Sequence, residues 1–412
     1  MDFKKVSRVL VYISVFLIPF YFFRFSVFGI KTNAFEASVL ISLIVTLLEN
    51  IKNKRLEIKK EWILPSILLL FALISVFVSG DKEKALGIFK GWFLIPIIFA
   101  WLITKNFNKK NILNLAIPLY VSLMFISLWA ILQKIGFFST LFYQVGDASF
   151  NQYIQDDRLF GPFESPNFLA MYLVPASFLS LSLIELLKKK QSKFLILLSF
   201  LLPMAALHFS VSRAGIISFA LCFLILMNYR FVNLQKSKSR RPFFTFAFIS
   251  FFLIINAGYL FFAENYYKPS GGGDKIRIEI YKYSTELLKN HPIGGIGLGG
   301  FHDSIDLISK NNESFQVWAM PYALHPHNLL LALWLNLGIL GLAVFIWILV
   351  QTLKELFFND SNSKAYFIAA IFAIMIQGLF DTTYFKNDLS AIFWLIWAGA
   401  VILGQKNENR EV

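Results

Sequence analysis

The sequence predicts an all-α, polytopic integral membrane protein of about twelve transmembrane helices with a small helical extracytoplasmic subdomain. Three observations predict it. Of 412 residues, 57% are apolar and 16% charged, whereas a soluble domain carries about a quarter charged residues and less than half apolar ones. The apolar residues form long runs, and roughly 17 to 25 of them in succession span a bilayer as a helix. The basic residues fall in short clusters between those runs, as in the cytoplasmic loops of membrane proteins. This dispersal accounts for the net charge of +14 and excludes a nucleic-acid partner, which would need the basic residues gathered on one soluble face.

The runs lie at about 9–23, 34–49, 62–79, 85–103, 112–133, 167–186, 194–210, 214–229, 243–262, 327–350, 365–380 and 389–404. Lys4, Lys5 and Arg8 before the first run resemble a signal peptide, but no small-residue cleavage site follows, so the run reads as an uncleaved span. The lone cysteine, Cys222, lies inside the eighth run and excludes an internal disulfide. With the N-terminus in the cytoplasm, 24 of the 39 Lys and Arg residues fall inside, the bias expected of membrane topology. Both termini are then cytoplasmic, and the chain divides into a five-span scaffold (1–133), a first outer loop (134–166), spans six to nine (167–262), a large extracytoplasmic loop (263–326), and three spans with a cytoplasmic tail (327–412).

Within the scaffold two residues resist a lipid-packed reading: Glu36, just inside the outer end of the second span, and Lys90, about two turns from the outer end of the fourth. Two readings stand, an ion pair across helices and a role for Lys90 in holding an anion. The first outer loop ends DDRLFGPFESPNFLAMYL, where Ser165 before Pro166 is a helix-start signal, a capping hydroxyl followed by proline at the first helical position. In HFSVSRAGII, Ser212 reads as a cap and Arg213 as a first-turn residue of the eighth span, able either to snorkel to headgroups or to bind. In the large loop, KIRIEIYKYSTELLKN places Ile276, Ile280, Tyr283 and Leu287 along one side of a helix. That helix stops at HPIGGIGLGG. Gly295, Gly297 and Gly300 spell GxGxxG, yet no strand precedes them and no βαβ unit surrounds them, so a dinucleotide fingerprint is rejected. A glycine-rich turn that folds the loop back on the membrane surface suffices. Asp381, at the outer end of the eleventh run, could orient a neighbouring histidine or arginine or be solvated.

The chemistry centres on Leu324 to Phe345, LHPHNLLLALWLNLGILGLAVF, where His325 and His327 stand at the mouth of an apolar run. Ionisable groups at a membrane edge are costly and so point to function, and imidazole suits proton transfer near neutral pH. Topology assigned from charge alone puts Arg158, Arg213, Arg277 and all five histidines on the outer side. Spans six, eight and ten start there, and the exposed amides of helix N-termini favour anions. Arginine adds a forked donor set that matches phosphate oxygens at any pH. The expected ligand is an anionic, phosphate-bearing group at the outer leaflet. His327 would take a proton from an attacking hydroxyl while arginines hold a departing diphosphate. No Asp-x-Asp pair, P-loop or thiolate cluster is present, and two histidines alone are a weak metal signal, so neither metal nor cofactor is expected.

The HisAsn pair, nine residues, then Gly-x-x-Gly (His327, Asn328, Gly338, Gly341) resembles the hallmark of the O-antigen ligase and O-antigen polymerase superfamily. RLFGPFESPN with Arg158, SRAG with Arg213, and Arg277 followed by NHPIGGIGLGGF are similar to its other recurrent stretches, in the same order. The resemblance covers most of the chain from about residue 150. It implies a GT-C-like fold and an inverting, metal-independent glycosyltransferase of the cytoplasmic (inner) membrane with its site facing outward. The donor would be a glycan on polyprenyl (undecaprenyl) diphosphate and the acceptor a lipid, glycan or protein hydroxyl. By this carry-over His327 is the base and Arg213 and Arg277 hold the diphosphate, with Arg158 and Asn328 in the matching stretches; Lys90, His325 and Asp381, from the residue readings above, complete the expected substrate-binding set. His325, two residues before His327, departs from the pattern and leaves two histidines as candidates for the base. The sequence does not separate ligase from surface-polysaccharide polymerase. An anion or solute transporter is the rival of another class, which internal symmetry between the halves would favour, and none is visible.

Overall fold

The computed structural model describes residues 3–53, 59–137, 158–234, 273–305, 324–358 and 361–405. The chain is predominantly helical. In order it forms α1 (Phe3–Leu17), a β-hairpin of β1 (Arg24–Val27) and β2 (Ile30–Asn33), then α2 (Ala34–Asn53), α3 (Ile63–Val78), α4 (Lys82–Asn106) and α5 (Ile112–Lys134). After the expected first outer loop come α6 (Pro166–Glu185), α7 (Lys190–Phe209) and α8 (Arg213–Leu234), then α9 (Gly273–Asn290), α10 (Leu329–Phe357), α11 (Lys364–Gly378) and α12 (Asn387–Gly404).

Seven of these helices, α3 to α7, α10 and α12, are long and apolar enough to cross a membrane, and α11 and residues Arg213–Tyr229 of α8 are shorter apolar helices. Helices α1 and α2 cover the first two expected spans but are not among the seven. The expected ninth span, 243–262, lies outside the described residues, as does most of the first outer loop. The hairpin between α1 and α2 corrects the purely helical expectation. Its strands pair antiparallel with Val27 opposite Ile30, so the loop is Phe28–Gly29 with φ of 50° and 80°. Positive φ at both central residues makes the two-residue turn whose twist matches paired strands, a signal that a single glycine after Phe28 does not announce.

Helices α6 and α12 are central: 83% of each apolar window is buried, against 22% for α7 at the periphery. Helix α12 packs on α10, α11 and the second half of α4, and α6 on α5, α8 and α11. Trp394 and Phe345 are fully buried there, with Phe393 stacked on Phe345. Apolar side chains such as Ile44, Phe77, Phe194 and Trp347 point outward from the bundle, as lipid contact requires.

Two irregularities position the site. Residues Phe89–Leu94 of α4 form a π-helical turn, a local widening often found at functional positions. It carries Lys90, whose Nζ lies 2.8 Å from buried Glu36. The second is the break in α10 at Gly338 (φ 72°, ψ 176°). The glycine-rich loop docks into it: Ile339 N donates to Ile293 O (3.0 Å), Ile296 N to Leu335 O (2.7 Å), and Gly299 N to Asn336 Oδ1 (3.0 Å). Glycine is required because a side chain at Gly338 would collide with the Ile293 carbonyl, and one at Gly295 with the Leu335 carbonyl. Helix α9 lies over this loop and packs Ile276, Ile280, Tyr283 and Leu287, the expected face, against Leu331, Trp334 and Leu335 of α10.

Candidate functional site

Helix α10 begins as the sequence dictates. The Asn328 side chain accepts from Leu330 N (3.0 Å) and Leu331 N (3.1 Å), satisfying two orphan amides of the first turn. Its Nδ2 donates to Leu379 O (3.2 Å) and so ties this helix start to the end of α11. His327, one residue earlier, has φ 47°, a left-handed conformation uncommon among non-glycine residues and found in clusters at functional positions. Tyr281 of α9 holds that backbone by donating to the His327 carbonyl (3.0 Å). Asp381 is 4% exposed, and its Oδ1 accepts from Thr382 N (2.9 Å).

These caps and turns bring His325, His327 and Asp381 together. His327 Nδ1 lies 3.5 Å and His325 Nδ1 3.7 Å from the same oxygen, Asp381 Oδ1, and the two imidazole centroids are 4.1 Å apart. Both distances exceed a good N–H···O hydrogen bond, and both Nδ1 atoms are buried without a hydrogen-bond partner. Burial, reinforced by His327, pushes the His325 imidazole down to about 3, so it is neutral at physiological pH. For Asp381, burial acts to raise the carboxyl, but His327 and then His325 outweigh it and hold Asp381 below the ordinary carboxylate range.

Arg277 lies on α9 one helical turn before Tyr281, whose hydroxyl bonds the His327 carbonyl, and it and Lys386 both disfavour the charged form of His325. Arg158 and Arg213 belong to an adjacent group: Arg158 Nε donates to Ser210 O (3.1 Å), and exposed Arg213 opens α8 three residues on. Val211 between them has φ 53°. The two groups meet across the first turn of α6. The Ser212 hydroxyl donates to Asn167 Oδ1 (3.1 Å), and the next residue, Phe168, sets its ring 5.8 Å from that of His325. Ser165 caps this turn by accepting from Phe168 N, as expected. Lys90 is not brought to the histidines. It pairs with Glu36, whose other oxygen accepts from Asn387 (2.9 Å).

Sequence reasoning missed a second, partly buried ion pair beside the site. Lys386 is bonded to Glu164, which also accepts from Tyr21 OH (2.7 Å), and its ammonium lies 3.7 Å from the Phe168 ring centroid. Both residues stand in stretches singled out for their arginine and aspartate neighbours. A lysine and a glutamate at apolar helix starts were the available signal, and only the fold shows that they pair. Asp381 likewise turns two histidines into a set of three groups that could hold a metal ion.

Comparison with known proteins bears out the resemblance drawn from the motifs. The family model described as O-antigen ligase matches residues 197–346, a stretch that includes Arg213, Arg277, His325, His327, Asn328, Gly338 and Gly341. A protein of Rickettsia felis carrying the provisional name of a polysaccharide ligase is 27% identical over 125 residues, 29% of this chain. The match spans 28% of that relative's length.

Proposed function

We propose that this chain is a membrane glycosyltransferase that moves a glycan from a polyprenyl-diphosphate carrier to an acceptor hydroxyl on the outer side of the cytoplasmic membrane, without a catalytic metal. The observation that carries the reading is the His327–Asp381 pair at a helix mouth, with His327 inside the region similar to O-antigen ligases and Arg277 one helical turn before Tyr281, which bonds the His327 backbone. Twelve spans and a GT-C-like arrangement belong to the same reading.

His327 is the base. His325 is the weaker candidate, since a group whose conjugate acid titrates near 3 accepts a proton poorly at neutral pH. With Nδ1 turned to Asp381, the Nε2 of His327 is the atom for the acceptor. In the step, the acceptor oxygen attacks the anomeric carbon as His327 removes its proton. The carbon–oxygen bond to phosphate breaks on the opposite face, which inverts the configuration, and the diphosphate leaves with the bonding pair. Arg277 and Arg213 neutralise its growing charge, and Arg158 fixes the turn that presents Arg213. Asp381 stabilises the imidazolium that forms.

The experiment is a purified assay with a polyprenyl-diphosphate glycan and candidate acceptors. His327→Ala is expected to abolish transfer while still inserting and still binding the donor. Full activity in that variant refutes the base assignment, and the product, ligated acceptor or lengthened glycan, separates ligase from polymerase.

A further inference from the structure

We infer that His325, His327 and Asp381 form a binding site for a divalent cation of the zinc, cobalt or nickel class, and that its occupation silences His327. The cation site stands on geometry alone, while the silencing rests on the function proposed above.

A tetrahedral ion with bonds of about 2.0–2.1 Å to imidazole nitrogen and carboxylate oxygen sets neighbouring donor atoms about 3.3–3.4 Å apart. The two nitrogen–oxygen distances here are 3.5 and 3.7 Å. They are too long for good hydrogen bonds and within a few tenths of an ångström of a coordination edge. One ligand atom from each residue can be chosen so that all three lie within 4.8 Å of one another. Both Nδ1 atoms are buried and without a hydrogen-bond partner, a desolvation cost that coordination would remove. Two imidazoles and one carboxylate make a borderline donor set, suited to zinc, cobalt or nickel rather than to magnesium or calcium. The histidine side chains are 25% and 17% exposed, so an ion can reach the cluster and keep a fourth position for water or an anion. The Lys386 ammonium lies on the Phe168 ring that neighbours His325; its positive charge lowers affinity for a cation and favours an anionic fourth ligand. Once ligated through its imidazole, His327 is no longer the base that Asp381 assists.

The test uses the full chain in detergent, stripped with chelator and titrated with cobalt(II). The expected result is one equivalent bound with the visible absorption of a low-symmetry site. His325→Gln and Asp381→Asn are expected to lose that absorption while melting like the unmodified chain without metal, and His291→Ala, at an exposed histidine outside the cluster, to keep it. Zinc is expected to raise the melting temperature of the unmodified chain and not of His325→Gln. No cobalt absorption, or absorption that survives His325→Gln, overturns the site. In the transfer assay, zinc is expected to inhibit and chelator to restore activity. Stoichiometric, His325-dependent binding with undiminished transfer overturns the silencing and the assignment of His327 as base, and leaves the cation site standing.

Discussion

Gly338→Ala is the sharpest test of how the site is supported. Its φ of 72° and ψ of 176° lie in a region open essentially to glycine, where another residue costs about 1–3 kcal/mol. The added methyl would meet the Ile293 carbonyl oxygen and come within 3.1 Å of Gly294 Cα. Relief requires the glycine-rich loop to withdraw. That breaks the bonds from Ile339 N to Ile293 O and from Ile296 N to Leu335 O, each about 0.5–1.5 kcal/mol net. The sum is roughly 2–6 kcal/mol, a large share of the 5–15 kcal/mol that holds a typical domain. Gly294→Ala is the control, because nothing lies within 4 Å of a methyl there and its φ is not positive. It should stay within about 0.5 kcal/mol. Hydrogen exchange on peptides covering 293–300 and 335–341, with melting in detergent, reads the difference. The Gly338 variant should exchange faster in both peptides, melt earlier and lose transfer, because α9 and Tyr281 lie over the same loop. If it matches the unmodified chain in exchange and melting, the docking of the loop into the broken helix is refuted.

Lys90→Met should destabilise by about 3–5 kcal/mol, because it leaves Glu36, 4% exposed, as an uncompensated buried charge; adding Glu36→Gln should recover most of the loss in thermal unfolding. Weaker donor binding at unchanged stability would instead assign Lys90 to an anion. Stability should also depend on pH through His325. Its folded pKa is depressed from 6.5 to about 3, so its contribution is fully present above about 6.5 and declines as pH falls toward 3. The slope is at most about 1.4 kcal/mol per pH unit. Melting curves between pH 7 and about 4.5, with chelator present, should show this slope, and His325→Gln should flatten it; a flat profile in the unmodified chain contradicts the neutral burial.

Much of this was legible in the sequence because it is local. A run of apolar residues long enough for a bilayer is a one-dimensional signal, and so are the Ser165–Pro166 helix start, the amphipathic face Ile276–Ile280–Tyr283–Leu287 and the HisAsn pair ahead of Gly-x-x-Gly. Those patterns account for the helical membrane class, the amphipathic helix α9 and the stretch where the proposed chemistry lies. The hairpin after α1 was not legible, since positive φ at Phe28 leaves no mark in residue type.

Pairings between distant residues were decided by tertiary structure alone. Asp381 is 54 positions from His327 in the sequence, and nothing local distinguishes a carboxylate that will orient an imidazole from one that will be solvated. Lys386 and Glu164 are separated by 222 positions, and each is an ordinary charged residue until the fold sets the two side by side, partly shielded from solvent. The glycines of HPIGGIGLGG declared a turn, but only the opened backbone at Gly338 shows what that turn binds. Backbone conformation and hydrophobic period are set by neighbours in the chain. The cost of a buried polar group is set by whatever the fold brings against it, and the chain order of the residues does not encode that.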